Sequence, residues 1–277
     1  MGLAYELVIN SSPCISYNME ENTTCLMILV LAHAAYGHNH FFKNNYLFKQ
    51  FTHADHIIDY MQFAKNYISE CEEKYGLEEV ELTLDACHAL MNYGVDKYKK
   101  PVKLSPLEEK ERFKQKVEDD RILENVIWKT IPKQEEKKER IKNFPETPEE
   151  NILYFLEKNA PYLKEWQREI VRIVRKISQY FYPQGMTKVL NEGCATFSHY
   201  EIINKMWEEG YLTDGFMLEF LHNHSNVIFQ PGFDSKYYSG INPYTLGFNI
   251  LKDIKRMSLE PTDEDYKWFP TIAGNQD

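Results

Sequence analysis

Between Pro161 and Pro183 the chain writes one long amphipathic helix, and that stretch constrains the fold more than any other. Trp166, Ile170, Ile173, Val174 and Ile177 recur every three or four residues and form a single apolar stripe, with Glu169 on its border. A helix of that length with one greasy face must lie against other helices. The rest of the chain supplies them. Asn18 with Glu21 reads as a capping box opening an almost wholly apolar helix to about Ala35, ended by Gly37. Thr52 with Asp55 opens a helix to Tyr75, closed by Gly76, and another covers Leu77 to Tyr93, closed by Gly94. Thr147, Pro148 and Glu150 start a further helix. Others are expected over Met186–Glu209 (ended by Gly210), Asp214–His222 and Pro243–Met257. Only "AYELVIN", Ala4 to Asn10, reads as strand, broken by Ser12-Pro13. The pattern predicts a mainly α, multi-helix single domain over residues 1–277 with a minor N-terminal strand element. Within it Lys103–Glu146, dense in Lys and Glu, reads as a charged, peripheral helical insert or flexible segment.

Composition narrows the function classes. A net charge of −10 argues against nucleic acid or an anionic membrane as partner, since both need a basic face. Five cysteines without a CxxC pair fit a reducing compartment. The first residues lack a signal peptide's pattern, and the most apolar run, "CLMILVLAHAAYG", is too short to span a bilayer. The expectation is a cytoplasmic protein without membrane insertion, in which 19 Tyr and 16 Phe give an interior with many polar tips.

Four constellations carry potential chemistry. In "VLNEGCATFSHYEIIN", Glu192 and His199 lie two turns apart on one helix face with Val189, Ala195, Ile203 and Met206, so an acid and an imidazole point inward with Thr196 beside them. Such groups need partners or a metal, because an unpaired buried charge costs several kcal/mol. Gly193 inside that helix implies that another backbone or a ligand comes close. Second, Asp85-x-x-His88 has the i, i+3 spacing by which bundle helices offer two ligands to one metal, although Asp85 can equally fix the imidazole tautomer. Third, "LAHAAYGHNHFF" places His33 late on a buried helix, where a lone histidine is usually a satisfied core residue. His38 and His40, expected in the following turn, are better ligand candidates. His53 and His56 read as solvated, and His222 and His224 as charges suited to a helix C-terminus. Fourth, "REIVR" and "NEGCA" echo the HExxH and NExxA helices of zinc peptidases. Glu169 and Glu192 have counterparts there, but both histidines are arginines, which excludes a standard HExxH site. Arg168 and Arg172 would instead bind a carboxylate.

Longer strings point to a family. "AHAAYGHNHFFKNNYLF", "DACHALMNYGVDKYKKP", "NILYFLEKNAPYLKEWQREIVRIVRKISQYFYPQ", "NEGCATFSHY", "QPGFDSKYYSGINPYTLGF" and "WFPTIAG" together resemble the stage V sporulation protein R (SpoVR-like) family across nearly the whole chain. The resemblance implies a role in sporulation, in making the spore cortex, or in a bacterial stress response, with no established biochemical activity. It also implies longer relatives, so that this chain lacks parts of both ends. In "NEGCATFSHY" the family has Trp where Cys194 and Ser198 stand, which changes the local shape.

Two functions follow. One is an assembly or regulatory protein with a protein partner, its buried acids and imidazoles a structural network. The other is a metal-dependent hydrolase-like protein acting on a cell-wall or peptide substrate. Its metal ligands would be His38, His88, Glu192 and His199, with Glu169 as catalytic base and Zn²⁺, Fe²⁺ or Mn²⁺ as the metal.

Overall fold

A two-strand hairpin opens the chain and helices make up nearly all of the rest. The computed structural model describes residues 6–98, 111, 114, 115, 118 and 150–275. Most of the charged Lys103–Glu146 segment, and the expected caps Thr147 and Pro148, therefore lie outside the described residues. Strands β1 (Glu6–Ile9) and β2 (Ile15–Asn18) pair antiparallel, with Glu6 opposite Asn18. Tyr180 on the long helix donates to the carbonyl of Asn10 at 3.0 Å and so ties the hairpin to the helical body.

The helix order is α1 (Thr24–Leu31), a π-helical segment (Ala32–His38), α2 (Asn39–Asn44), α3 (Tyr46–Phe51), α4 (Ile57–Tyr75) and α5 (Leu77–Leu90). Then come α6 (Ile152–Asn159), α7 (Glu165–Met186), α8 (Lys188–Glu208), α9 (Asp214–Val227), α10 (Pro243–Leu259) and α11 (Asp263–Trp268). The chain is a mainly α single domain with a small N-terminal sheet. None of its described helices is long and apolar enough to cross a membrane.

Several helix ends differ from the sequence expectation. Asn18 pairs in β2, and the first helix is capped by Thr23, whose hydroxyl accepts from the Leu26 amide. Thr52 does not cap α4 but donates back to Phe48. Asn151 caps α6. Pro183 does not stop α7, which runs on to Met186. Gly76, at φ 92°, does separate α4 from α5, where a side chain would be strained.

The helices form two groups. In one, α4, α5, α6 and α7 bury Val80, Cys87, Leu153, Trp166 and Ile170. In the other, α1, the π-helical segment, α8, α9 and α10 bury Val30, Ile203 and Phe220. Each large side chain withdrawn completely, such as Ile170 or Phe220, contributes about 1.5–3 kcal/mol. The second group packs closest. A Cβ on Gly193 would meet the Gly247 backbone at 2.5 Å, and one on Gly37 would meet the Ala195 Cα at 2.3 Å. The backbone expected near Gly193 is therefore α10, and these glycines let three helices touch main chain to main chain.

Candidate metal centre

The π-helical segment is what brings His33 and His38 together. In a regular α-helix, residues five apart diverge by about 140°. The i→i+5 bonding of a π-helix stacks them instead, and the two imidazole centroids lie 4.7 Å apart. Gly37 thus does not end the helix, and His38 lies buried on it rather than in a turn. His40, one turn further, is exposed beside Asn44.

Helix α8 faces this segment. Asn191, Glu192, Thr196 and His199 project toward it from one face, as their spacing requires. Strand β1 closes the space with Glu6. The Glu6 Oε1 lies 3.2 Å from His33 Nε2 and 3.8 Å from His38 Nε2, while Glu192 Oε2 lies 3.7 Å from His38 Nε2. The ligand atoms of Glu6, His33 and His38 all fall within 4.8 Å of one another. The second carboxylate oxygen of Glu6, the Oε2 of Glu192 and the Thr196 hydroxyl are buried without a hydrogen-bond partner.

Each group is held from behind. Asn191 Oδ1 lies 3.0 Å from His38 Nδ1; an amide oxygen only accepts, so Nδ1 carries the proton and the Nε2 lone pair faces the two carboxylates. Tyr244, from α10, donates its hydroxyl to Glu192 and stacks near His33. His33 Nδ1 meets His199 Nδ1 at 3.0 Å, and His199 Nε2 meets His224 Nδ1, from α9, at 2.9 Å.

Burial sets the charge states. It holds His33 well below the usual imidazole range, with His38 and His199 adding to the effect. It lowers His199 to about 3 and His224, helped by Lys252, to about 4. His224 is therefore a neutral core ring and not the charged helix terminus its position suggested. Burial, with the adjacent Glu192 carboxylate, raises Glu6 to about 8. Tyr244 is pushed up by burial and then by Glu192.

Of the ligands expected from sequence, His38, Glu192 and His199 come together here, and His88 and Glu169 do not. His88 and Asp85 stand exposed on α5, in the other helix group, because helical spacing fixes a shared face but not which face is buried. Glu169 pairs with Arg172 at 2.6 Å. Arg172 also binds the buried carboxylate of Glu157, together with Arg175 and Lys158, and these cations hold that carboxyl below its usual range despite its burial. Arg168 donates to the carbonyls of Glu157 and Ala160. The arginines that replace the HExxH histidines thus serve an internal acid. The helices expected to converge on one cleft split between two groups instead. The aromatic loop between α9 and α10, expected to wall that cleft, lines a neighbouring pocket of about 370 Å³ with Phe233, Tyr238 and Ile241.

Sequence reading missed Glu6, Asn191 and the liganding potential of His33. Asn191 was accessible in principle, since it shares the inward face with Glu192 and His199.

The chain matches the family model described as "SpoVR like protein" over residues 1–277. It is 60% identical over 276 residues to "Uncharacterized protein YcgB" of Escherichia coli (strain K12), a match covering 99% of this chain and 54% of that protein. The chain thus spans about half the length of the curated relative it matches. No solved structure matches it.

Proposed function

The chain belongs to the SpoVR-like family, a placement that names no reaction, and on that premise we propose that it is a metal-dependent, hydrolase-like protein built around Glu6, His33, His38 and Glu192. The observation that carries this reading is the environment of His38 Nε2. Its lone pair faces carboxylate oxygens at 3.7 and 3.8 Å, too far to hydrogen-bond and, without a cation between them, mutually repulsive. Two ligand atoms each about 2.1 Å from one tetrahedral metal lie about 3.4 Å apart. The three Nε2–carboxylate distances, 3.2 to 3.8 Å, bracket that value. Neutral imidazoles and carboxylates suit Zn²⁺, or Fe²⁺ or Mn²⁺ where both carboxylates bind. A metal held there supplies Lewis acidity and a more acidic bound water. Tyr244 would orient Glu192, and Asn191 would orient His38. The family's implied setting, spore cortex formation or a stress response, suggests a cell-wall or peptide substrate.

A second reading, an assembly or regulatory protein, has its own support. His33, His199 and His224 hydrogen-bond one another without any metal, and a protonated Glu6 can donate to His33. An apolar groove of about 500 Å³ between α5 and α6, with Leu82 and Tyr162 exposed at its rim, would suit a protein partner. The test is calorimetric titration with Zn²⁺, Mn²⁺ and, anaerobically, Fe²⁺, followed by hydrolysis assays on peptides and muropeptides with and without chelator. Stoichiometric binding with chelator-sensitive hydrolysis supports the first reading. Binding without turnover leaves a metal-holding regulatory protein, and absence of binding overturns the metal centre.

A further inference from the structure

Behind the cluster stands a row of three imidazoles that the ligand set does not use in full. His33, His199 and His224 come from the π-helical segment, α8 and α9, and their ring nitrogens meet at 3.0 and 2.9 Å. His199 and His224 are fully or nearly fully buried, packed against Phe220, Tyr200 and Phe248. Histidines in so apolar a place are costly unless each ring nitrogen is matched. A Leu or Phe pair would pack the same space without that cost.

The matching has a direction. A neutral imidazole has one donor and one acceptor nitrogen. His33 can present its Nε2 lone pair toward Glu6 only if its Nδ1 carries the proton. That proton must then be accepted by His199 Nδ1, so His199 carries its own proton on Nε2. That one must in turn be accepted by His224 Nδ1, which leaves the His224 proton on Nε2. One choice at the cluster therefore fixes all three tautomers.

We propose that His199 and His224 are positioning residues for the metal centre: a one-way relay of imidazole hydrogen bonds that holds His33 in its ligating tautomer and orientation. The inference rests on the metal reading above. It reassigns His199 from ligand to support, because both of its ring nitrogens already face other imidazoles. Metal-bound histidines generally donate their far N–H to an outer acceptor, and removing that acceptor typically lowers metal affinity 10–100-fold. Here the outer acceptor is itself an imidazole that needs a further acceptor, so the support extends two rings deep.

The test uses the full chain titrated with Zn²⁺, with Kd read by competition against a chromophoric chelator and fold integrity by circular dichroism. His224→Leu removes the terminal acceptor and is expected to weaken Zn²⁺ binding about 10-fold or more. His224→Asn places an amide oxygen near the lost Nδ1 and is expected to restore most of that affinity. A merely structural role would not distinguish an acceptor from an equally stable non-acceptor. The independent readout is ¹⁵N NMR of the Zn²⁺-loaded wild type, which should show the proton on Nδ1 in His33 and on Nε2 in both His199 and His224. Should His224→Leu fail to fold, this pattern decides. Zn²⁺ binding with unchanged affinity in a folded His224→Leu, or with the opposite tautomer at His224, overturns the relay and leaves the centre standing. No Zn²⁺ binding by the wild type overturns both.

Discussion

Replacing Glu6 by Gln should change how stability depends on pH, and the direction is opposite to that of most carboxyls. Glu6 is raised from 4.5 to about 8 by burial and by Glu192. Between those values the folded protein holds a proton that the unfolded chain has lost. Stability from this group is therefore fully present below pH 4.5 and is lost as pH rises through about 8. The buried imidazoles act in the other direction. With folded values near 3 and 4 for His199 and His224, they contribute stability that is lost as pH falls below 6.5 and are nearly silent above it. The raised thiols of Cys25 and Cys87 begin to matter only toward pH 9. The window from pH 6.5 to 8 thus isolates Glu6. At 1.36 kcal/mol per pH unit, flattening near 8, metal-free wild type should lose about 1.5 kcal/mol across it. Glu6→Gln, uncharged throughout, should stay nearly flat. Saturating Zn²⁺ should abolish the wild-type decline, because the ionised carboxylate is then the bound form. Urea unfolding of chelator-treated wild type and Glu6→Gln at half-unit pH steps measures this directly. Parallel curves for the two proteins would refute the buried, protonated Glu6.

Other outcomes follow from the same geometry. Gly193→Ala drives a methyl into the Gly247 backbone and should cost about 1–3 kcal/mol in urea unfolding, with Gly247→Ala, aimed at the Val189 carbonyl, at least as severe. Glu157→Ala leaves Arg172 and Arg175 without their shared buried partner; because both arginines keep some contact with water, a loss of about 2 kcal/mol is expected by thermal or urea melts, with Zn²⁺ binding unchanged. Tyr244→Phe removes the donor to Glu192 and should weaken Zn²⁺ about 10-fold by chelator competition while the fold persists. His88→Ala, on an exposed helix face, should leave both stability and metal content unchanged.

The helical class was readable because stripes such as Trp166, Ile170 and Val174 are local, and so were the stops at Gly76 and Gly210, both at positive φ. Glu192 and His199 could be paired because one helix carries both. Gly193 announced a close backbone approach, although not that α10 would supply it. Glu6 was illegible: an acid in a short strand looks like an exposed edge residue until the hairpin is docked. The His33–His38 pair was hidden for a different reason. Periodicity of 3.6 separates them, and only the π-helical register brings them to one side. His88 and Glu169 show the converse limit. Their spacing is correct for a site, yet tertiary packing assigns one to solvent and the other to an arginine.

The most direct test of the metal centre is metal content per chain by inductively coupled plasma mass spectrometry, on untagged protein purified without added metal. Wild type and His88→Ala should each carry about one Zn, Fe or Mn per chain, and folded His38→Ala and Glu192→Gln variants should carry almost none. Metal-free wild type that also fails to take up any of the three on dialysis would contradict the account, as would equal metal content in all four proteins.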